Sequence, residues 1–357
     1  MRRFAEHEAA GVSPLYFHLA SHAAEDDEVA ALLAAAPYAA HPTLLFAAVH
    51  RVLAGEPIHP LTEYYPTLAG SSGPDNGLWP TFRTFVLERA ERIREIVATR
   101  HTQTNEVNRA ALLYPAVAAA AKQAKAPVGL LEVGCSAGLL LDLDRYGYRY
   151  QTEDAGQVAA GPAKSAVGLH CALELAPGAT MPALPKKLAV AAKVGLDRAP
   201  VDLDDEEEAA WLEACVWGDQ PERLRLLLTA ARARKSAPEL VRGDAVDDLA
   251  GTAARIDDGV PLVVLTSNTL TYLSPERRAD FVAALGKLAG DRPLWWVSHE
   301  SYPAALEVVL PGRADLTPDV GAPAFGVLGL TAWRDGEPVA RALAKTNLHG
   351  RRMEWLP

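Results

Sequence analysis

The sequence predicts an open, mostly parallel α/β sheet preceded by a separate helical domain. Three observations carry that prediction. Residues 4–125 place apolar side chains at helical spacing without a convincing strand. From Pro127 onward, short apolar runs alternate with helical stretches, the pattern of a sheet with crossover helices. The first of those runs, Leu130-Leu131-Glu132-Val133, stops beside a carboxylate and enters the glycine turn Gly134-Cys135-Ser136-Ala137-Gly138. A chain of 357 residues exceeds the usual size of one domain, so the expected division is 1–125 helical and 126–357 sheet, with a β-rich insertion at about 145–190.

Alanine- and leucine-rich stretches at 29–36 and 43–53, and the spacing of Phe82, Phe85, Val86, Ile93, Ile96 and Val97, predict amphipathic helices. Between them, the Pro- and Gly-rich segment 56–80 reads as a long loop carrying Tyr64, Tyr65 and Trp79. Loops of that length are often functional. A further helix is expected over 105–124, stopped by Pro127. The main strands then fall at 128–133, 188–197, 240–245, 261–266 and 294–297, with 146–150 and 166–175 in the insertion and a closing pair at 325–330 and 341–343. The acidic run 204–208 reads as a helix start, where negative charge meets the positive dipole end. Residues 206–235 continue it as a helix-rich stretch.

Composition excludes several classes. Hydrophobic residues at 49% and charged residues at 22% suit a globular chain with a substantial core. A net charge of −10 argues against nucleic acid or an anionic membrane surface as partner and favours a small-molecule substrate. Cys135, Cys171 and Cys215 are too scattered for a disulfide framework or a zinc site, which fits a reducing cytoplasm, and no metal is expected. The start turns acidic before an apolar segment forms, so no secretory signal is expected, and no apolar run reaches membrane-spanning length.

The glycine turn points to a nucleotide-type cofactor. Gly134 and Gly138 allow a tight turn and close backbone approach, and the following segment offers a positive dipole end. A dinucleotide site would place a third glycine at Ser136, and Glu132 would repel a pyrophosphate. A carboxylate there welcomes an ammonium or a hydroxyl instead. Glu-x-Gly-x-Ser-x-Gly resembles the first motif of class I S-adenosylmethionine-dependent methyltransferases, departing from the common form at Ser136. That resemblance implies a Rossmann-like sheet with helices on both faces, and S-adenosyl-L-methionine as cofactor. Asp197, closing the second main strand, resembles the family's ribose-binding acid. It lies 65 residues beyond Glu132, against about 20 in an uninterrupted unit, so the insertion must absorb the difference, or Asp142 or Asp144 takes the role. Gly243-Asp244-Ala245 resembles the family's adenine-recognition element. Both Asp197 and Asp244 also suit a helix N-cap.

The chain also resembles a bacterial domain-of-unknown-function family, number 2332. The residues that carry the likeness are 103–109, Glu132 to Gly138, Leu143-Asp144-Arg145-Tyr146, 241–249, Tyr272 to Arg278, and His349-Gly350. It implies a methyltransferase-like fold.

Methyl transfer needs alignment of nucleophile, methyl and leaving sulfur, and a base only for a protonated nucleophile. Asn105 and Arg109 are candidates for holding substrate, Arg109 by clamping the carboxylate of a substrate or of the cofactor's methionine tail, with Glu106 a candidate base; the alternative is a capping box with a surface ion pair. Ser267 and Asn268 follow the fourth strand, where this fold presents groups to a reacting centre, though Asn equally forms turns. His299-Glu300, after the fifth strand, could serve acid–base chemistry through the histidine, with an ordinary surface pair as the alternative. Tyr65, as part of a lid, and Tyr272 are candidate substrate contacts, with packing as the alternative for each. The expected function is methyl transfer to a small molecule, against a nicotinamide-dependent oxidoreductase or a non-catalytic S-adenosylmethionine-binding protein.

Overall fold

The computed structural model describes residues 1–36, 41–319 and 321–357. They form two compact units, residues 1–104 with 201–228 and residues 105–200 with 229–357.

The first unit is helical. Its longer helices include Pro14–Ala23, Pro42–Leu53, Leu78–Glu88, Ala90–Thr99 and Glu206–Ala214. Ser13 caps the first by accepting the Tyr16 amide, and Asp205 caps the last by accepting the amides of Glu207 and Glu208, which accounts for the acidic run. Apolar faces meet around Tyr16, Phe46, Phe82, Phe85 and Trp211. Segment 56–80 is more ordered than an open loop: it contains 3-10 turns at Pro60–Tyr64 and Pro66–Leu68, and Asp75 accepts the Tyr64 hydroxyl at 2.8 Å. Tyr65, expected to contact substrate from a lid, is instead fully buried in this core. Its ring fills the space left by Gly218, where a Cβ would stand 2.4 Å away, so packing explains the residue. His50 bridges the Ala214 carbonyl (3.0 Å) and the Thr67 hydroxyl (2.9 Å), and burial holds its pKa down to about 4, making it a neutral cross-link.

The second unit is mixed α/β, built on one sheet of 11 strands. In chain order these are β1 Val128–Val133, β2 Gly147–Gln151, β3 Gln157–Ala160, β4 Gly168–Leu175, β5 Val190–Asp197 and β6 Glu239–Arg242. They continue as β7 Leu262–Ser267, β8 Leu294–Glu300, β9 Gly326–Arg334, β10 Glu337–Thr346 and β11 Arg352–Trp355. The spatial order is β3-β2-β4-β11-β10-β9-β8-β7-β1-β5-β6. Five neighbours, β6, β5, β1, β7 and β8, run parallel. Among these five the chain order is third, second, first, fourth, fifth, so the direction of progression reverses between β1 and β7. Ligands bind outside the strand carboxyl ends at such a reversal.

β1, β7 and β8 are buried along their whole length, as strands covered on both faces must be. Successive strand residues point to opposite faces. Trp295 donates its indole N–H to Gln123 on helix Ala110–Ala124, while Trp296 packs against Phe281 on helix Pro275–Asp291, so helices cover both sides.

The insertion differs from expectation. The two strands expected there, β2 and β4, pair in parallel rather than as a hairpin; β3 pairs antiparallel with β2, and β4 pairs in parallel with β11, Arg352 beside Ala172. The last strand would otherwise leave a row of unpaired backbone groups, which the insertion satisfies. The closing pair is longer than expected and is joined at Asp335-Gly336, whose φ values of 53° and 84° make the two-residue turn suited to a twisted hairpin.

Candidate functional site

Three of the five residues that follow β1 are left-handed: Gly134 at φ 78°, Ser136 at 50° and Gly138 at 66°. The turn is tied to the end of β5, since the amides of Gly134 and Cys135 donate to the Leu196 carbonyl at 2.8 and 3.4 Å. Gly134 has no room for a side chain, because a Cβ would lie 2.0 Å from the Thr269 hydroxyl. The glycines therefore serve contact with neighbouring protein segments, rather than the ligand approach that sequence suggested.

The turn's amides are largely spent on the protein. Ser136 donates to Asp197 Oδ2 (2.8 Å), Gly138 to the Cys135 carbonyl (2.7 Å), and Leu139 to Asn105 Oδ1 (3.0 Å). The segment behind the turn, Leu139–Arg145, is 3-10 rather than α-helical. Such a turn is no phosphate cradle, which needs amides aimed at the ligand. Asn105, expected to contact substrate, instead caps this segment from an extended stretch that precedes helix Ala110–Ala124.

Two carboxylates sit at the turn. Glu132 is buried, and its Oε2 has no hydrogen-bond partner. Burial and the nearby Asp197 push its pKa well above the usual carboxylate range, against the opposing pull of Arg234 and Arg109. Asp197 accepts amides on both oxygens, from Ser136 on Oδ2 and Ala199 on Oδ1. Asp142 and Asp144 are committed elsewhere: Lys193 reaches both, at 2.9 and 2.6 Å, and Arg234 Nε reaches Asp142 at 3.1 Å. Of the three acids weighed for a ribose, Asp197 is the one that lines the turn without a cationic partner among the described ion pairs.

Asp244 follows β6. Its Oδ1 accepts the amides of Val246 (2.9 Å) and Asp247 (3.3 Å) and a bond from Arg277 (2.5 Å), beside the nearly buried Ala245. Burial works to raise its pKa, and those amides together with Arg277 outweigh it and hold the carboxyl ionised.

At the end of β7, Ser267 contacts His299 Nδ1 at 3.1 Å, while His299 Nε2 contacts the Thr346 hydroxyl at 2.9 Å. His299 is fully buried, and burial, then Arg109 and His349, lower its pKa to about 3. An imidazole with both nitrogens engaged and a pKa that low is a neutral bridge, so the expected acid–base role does not fit it. Asn268 adopts φ 54° with its amide on the His299 carbonyl (2.9 Å), the turn-forming alternative. Tyr272 is 85% exposed, so the packing alternative does not describe it.

Sequence weighed one further residue here, Glu300, only as half of the pair His299-Glu300, and missed another, Arg234. Glu300, ending β8, accepts the amides of Thr269 and Leu270 on Oε1 at 2.9 and 3.2 Å, and leaves Oε2 buried without a partner. Burial raises its pKa to about 7, opposed by those amides and by Arg109. A carboxylate at the end of a third parallel strand was the available signal. Arg234 is the other, donating from Nη1 to the Ala137 carbonyl at 2.8 Å inside the turn.

Arg109 is buried, donates from Nε to the Leu348 carbonyl (3.0 Å), and its charge bears on Glu132, His299 and Glu300. Glu106, expected as a base, is buried with Oε2 3.8 Å from His349 Nδ1, so it acts first as a tie between this segment and the C-terminal loop. Asn108 strengthens that tie through the Gly350 carbonyl at 2.6 Å. The structure thus gathers Asn105, Glu106, Arg109, Glu132, the glycine turn, Asp197, Ser267, Asn268 and His299 at the strand carboxyl ends. A cavity of about 470 Å³ lined by Ala118, Lys122, Leu184 and Leu188 lies at the opposite, amino end of β1 and β5. Among the described residues no group of three or more His, Cys, Asp or Glu is placed to hold a metal, and no helix is long and apolar enough to cross a membrane.

A family model described as an uncharacterized protein conserved in bacteria, DUF2332, matches residues 1–355. The chain belongs to this family. The match spans both compact units, so the helical unit is part of what defines a DUF2332 protein. No curated protein matches the sequence.

Proposed function

We propose that this DUF2332 protein binds S-adenosylmethionine at the carboxyl ends of β1, β5 and β6 and transfers its methyl group to a small-molecule acceptor. The observation that carries this reading is Glu132: a buried carboxyl with one oxygen unpartnered, beside a glycine turn whose amides already serve the protein. A buried acceptor is stabilised by a ligand donor, and an ammonium supplies one with charge. A pyrophosphate would meet a carboxyl and few open amides, which disfavours a dinucleotide. The strand order and the reversal at β1 and β7 support the same reading.

In this account Glu132 takes the ligand's ammonium, Asp197 the ribose hydroxyls, and Asp244 with the Ala245 amide the adenine edge. The bound ligand supplies an electrophilic methyl on a sulfonium. Ser267, Asn268, Glu300 and Arg109 present the polar groups that an acceptor meets, with Arg109 drawing anionic character and Glu300 accepting an N–H or O–H. His299 keeps Ser267 and the β10 end in register and exchanges no proton.

Calorimetric titration with S-adenosylhomocysteine tests the assignment. Glu132→Gln and Asp244→Ala are each expected to weaken binding by about 1.5–3 kcal/mol, the loss of one charge-assisted hydrogen bond. Wild-type affinity in both folded variants would remove the site.

A further inference from the structure

Arg234 follows helix Pro221–Ala233, with only 8% of its side chain exposed. Its Nε reaches Asp142 and its Nη1 the Ala137 carbonyl, while Nη2 is buried without a hydrogen-bond partner. Asp142 is shared with Lys193, which also holds Asp144, so Arg234 has no carboxylate to itself. Two further orphans lie at the same place: Glu132 Oε2 near the end of β1 and the Ser136 hydroxyl on the turn. Native interiors leave few such groups unmade, and a cluster of them beside one turn asks for a ligand. Arg234 is a cation and Glu132 a carboxyl that accepts, and the Arg234 charge opposes the rise of the Glu132 pKa. An anion alone would satisfy Arg234 and leave Glu132 unmet; a cation alone would do the reverse.

We infer that Arg234 and Glu132 form a clamp for a zwitterionic α-amino-acid group, Arg234 taking the carboxylate and Glu132 the ammonium. The inference rests on the S-adenosylmethionine reading and assigns the residue that binds the ligand's carboxylate. Arg109, the other buried guanidinium of the site, serves the Leu348 carbonyl and the Glu300 side. The planar fork of Arg234 matches a carboxylate, and its fixation by Asp142 and Ala137 orients it before any ligand arrives.

Three thioether probes separate the possibilities by calorimetry: S-adenosylhomocysteine, decarboxylated S-adenosylhomocysteine, which keeps the ammonium alone, and methylthioadenosine, which lacks both charges. R234Q is expected to weaken S-adenosylhomocysteine binding on the order of 10- to 100-fold and to leave the other two within about twofold. E132Q should weaken both ammonium-bearing probes and spare methylthioadenosine. Equal losses across all three probes with R234Q, or no loss for S-adenosylhomocysteine, would overturn the clamp. If R234Q does not fold, the wild type still decides: absence of any preference for S-adenosylhomocysteine over methylthioadenosine contradicts the clamp. Failure of the wild type to bind any of the three overturns the cofactor reading itself, and so is distinguishable from failure of the clamp.

Discussion

Gly134→Ala is expected to destabilise the protein by about 2–5 kcal/mol, the sum of left-handed strain on a residue with a Cβ and overpacking of a filled site. The strain arises because φ at this position is 78°. The overpacking arises because the new methyl would stand 2.0 Å from the Thr269 hydroxyl and 2.5 Å from its methyl group. Thr269 has little freedom to yield, since its amide is held by Glu300. Denaturant unfolding should show a lower midpoint, and any variant that folds should have lost affinity at the displaced turn. Gly251→Ala is the control: it lies in helix Leu249–Ala253 with nothing within 4 Å of its Cβ, so it should be neutral or stabilising. Equal stability of Gly134→Ala and wild type would mean that the turn is not packed as described.

Glu300→Gln is expected to be more stable than wild type at alkaline pH and nearly equal to it in acid. Burial raises the Glu300 pKa from 4.5 to about 7. The folded state therefore holds a proton that the unfolded chain has released. Its stabilising effect is complete below about pH 4.5 and is lost as pH rises through 7. Across that window wild type loses about 3 kcal/mol that the amide variant does not. Gln retains an oxygen for the amides of Thr269 and Leu270, so the loop keeps its anchor. Glu132 also has a raised pKa, but it is common to both proteins and drops out of the difference. Thermal or denaturant unfolding at several pH values from 5 to about 8.5 measures this directly. A difference independent of pH would show that Glu300 is ionised in the fold at an ordinary pKa.

The parallel half of the sheet was legible because β1 and β7 are short apolar runs bounded by turn residues, a local signal. The carboxylates Glu132 and Asp197 were legible for the same reason: each sits where a strand stops. Placement of the insertion was not, because the pairing of β4 with β11 joins residues 172 and 352, and nothing in either run names its partner. The candidate cluster divides the same way. Arg234 reads locally as one more basic residue after an amphipathic helix; only the fold brings it to Ala137, 97 positions away in sequence. Tyr65 and His299 failed in the opposite sense, since residue types suited to binding were taken up by the interior. An aromatic in a Pro-rich loop and a histidine at a strand end carry no mark of burial. Asn105 was a candidate substrate contact, and its oxygen serves the Leu139 amide.

The account stands most directly on what the wild-type protein binds. Calorimetric titration with S-adenosylhomocysteine, run beside an identical titration with NADH, measures it. One saturable site for S-adenosylhomocysteine and no binding of NADH is the expected result. Saturable binding of NADH with none of S-adenosylhomocysteine would contradict the account at its centre, by showing that Glu132 and its turn accept a pyrophosphate.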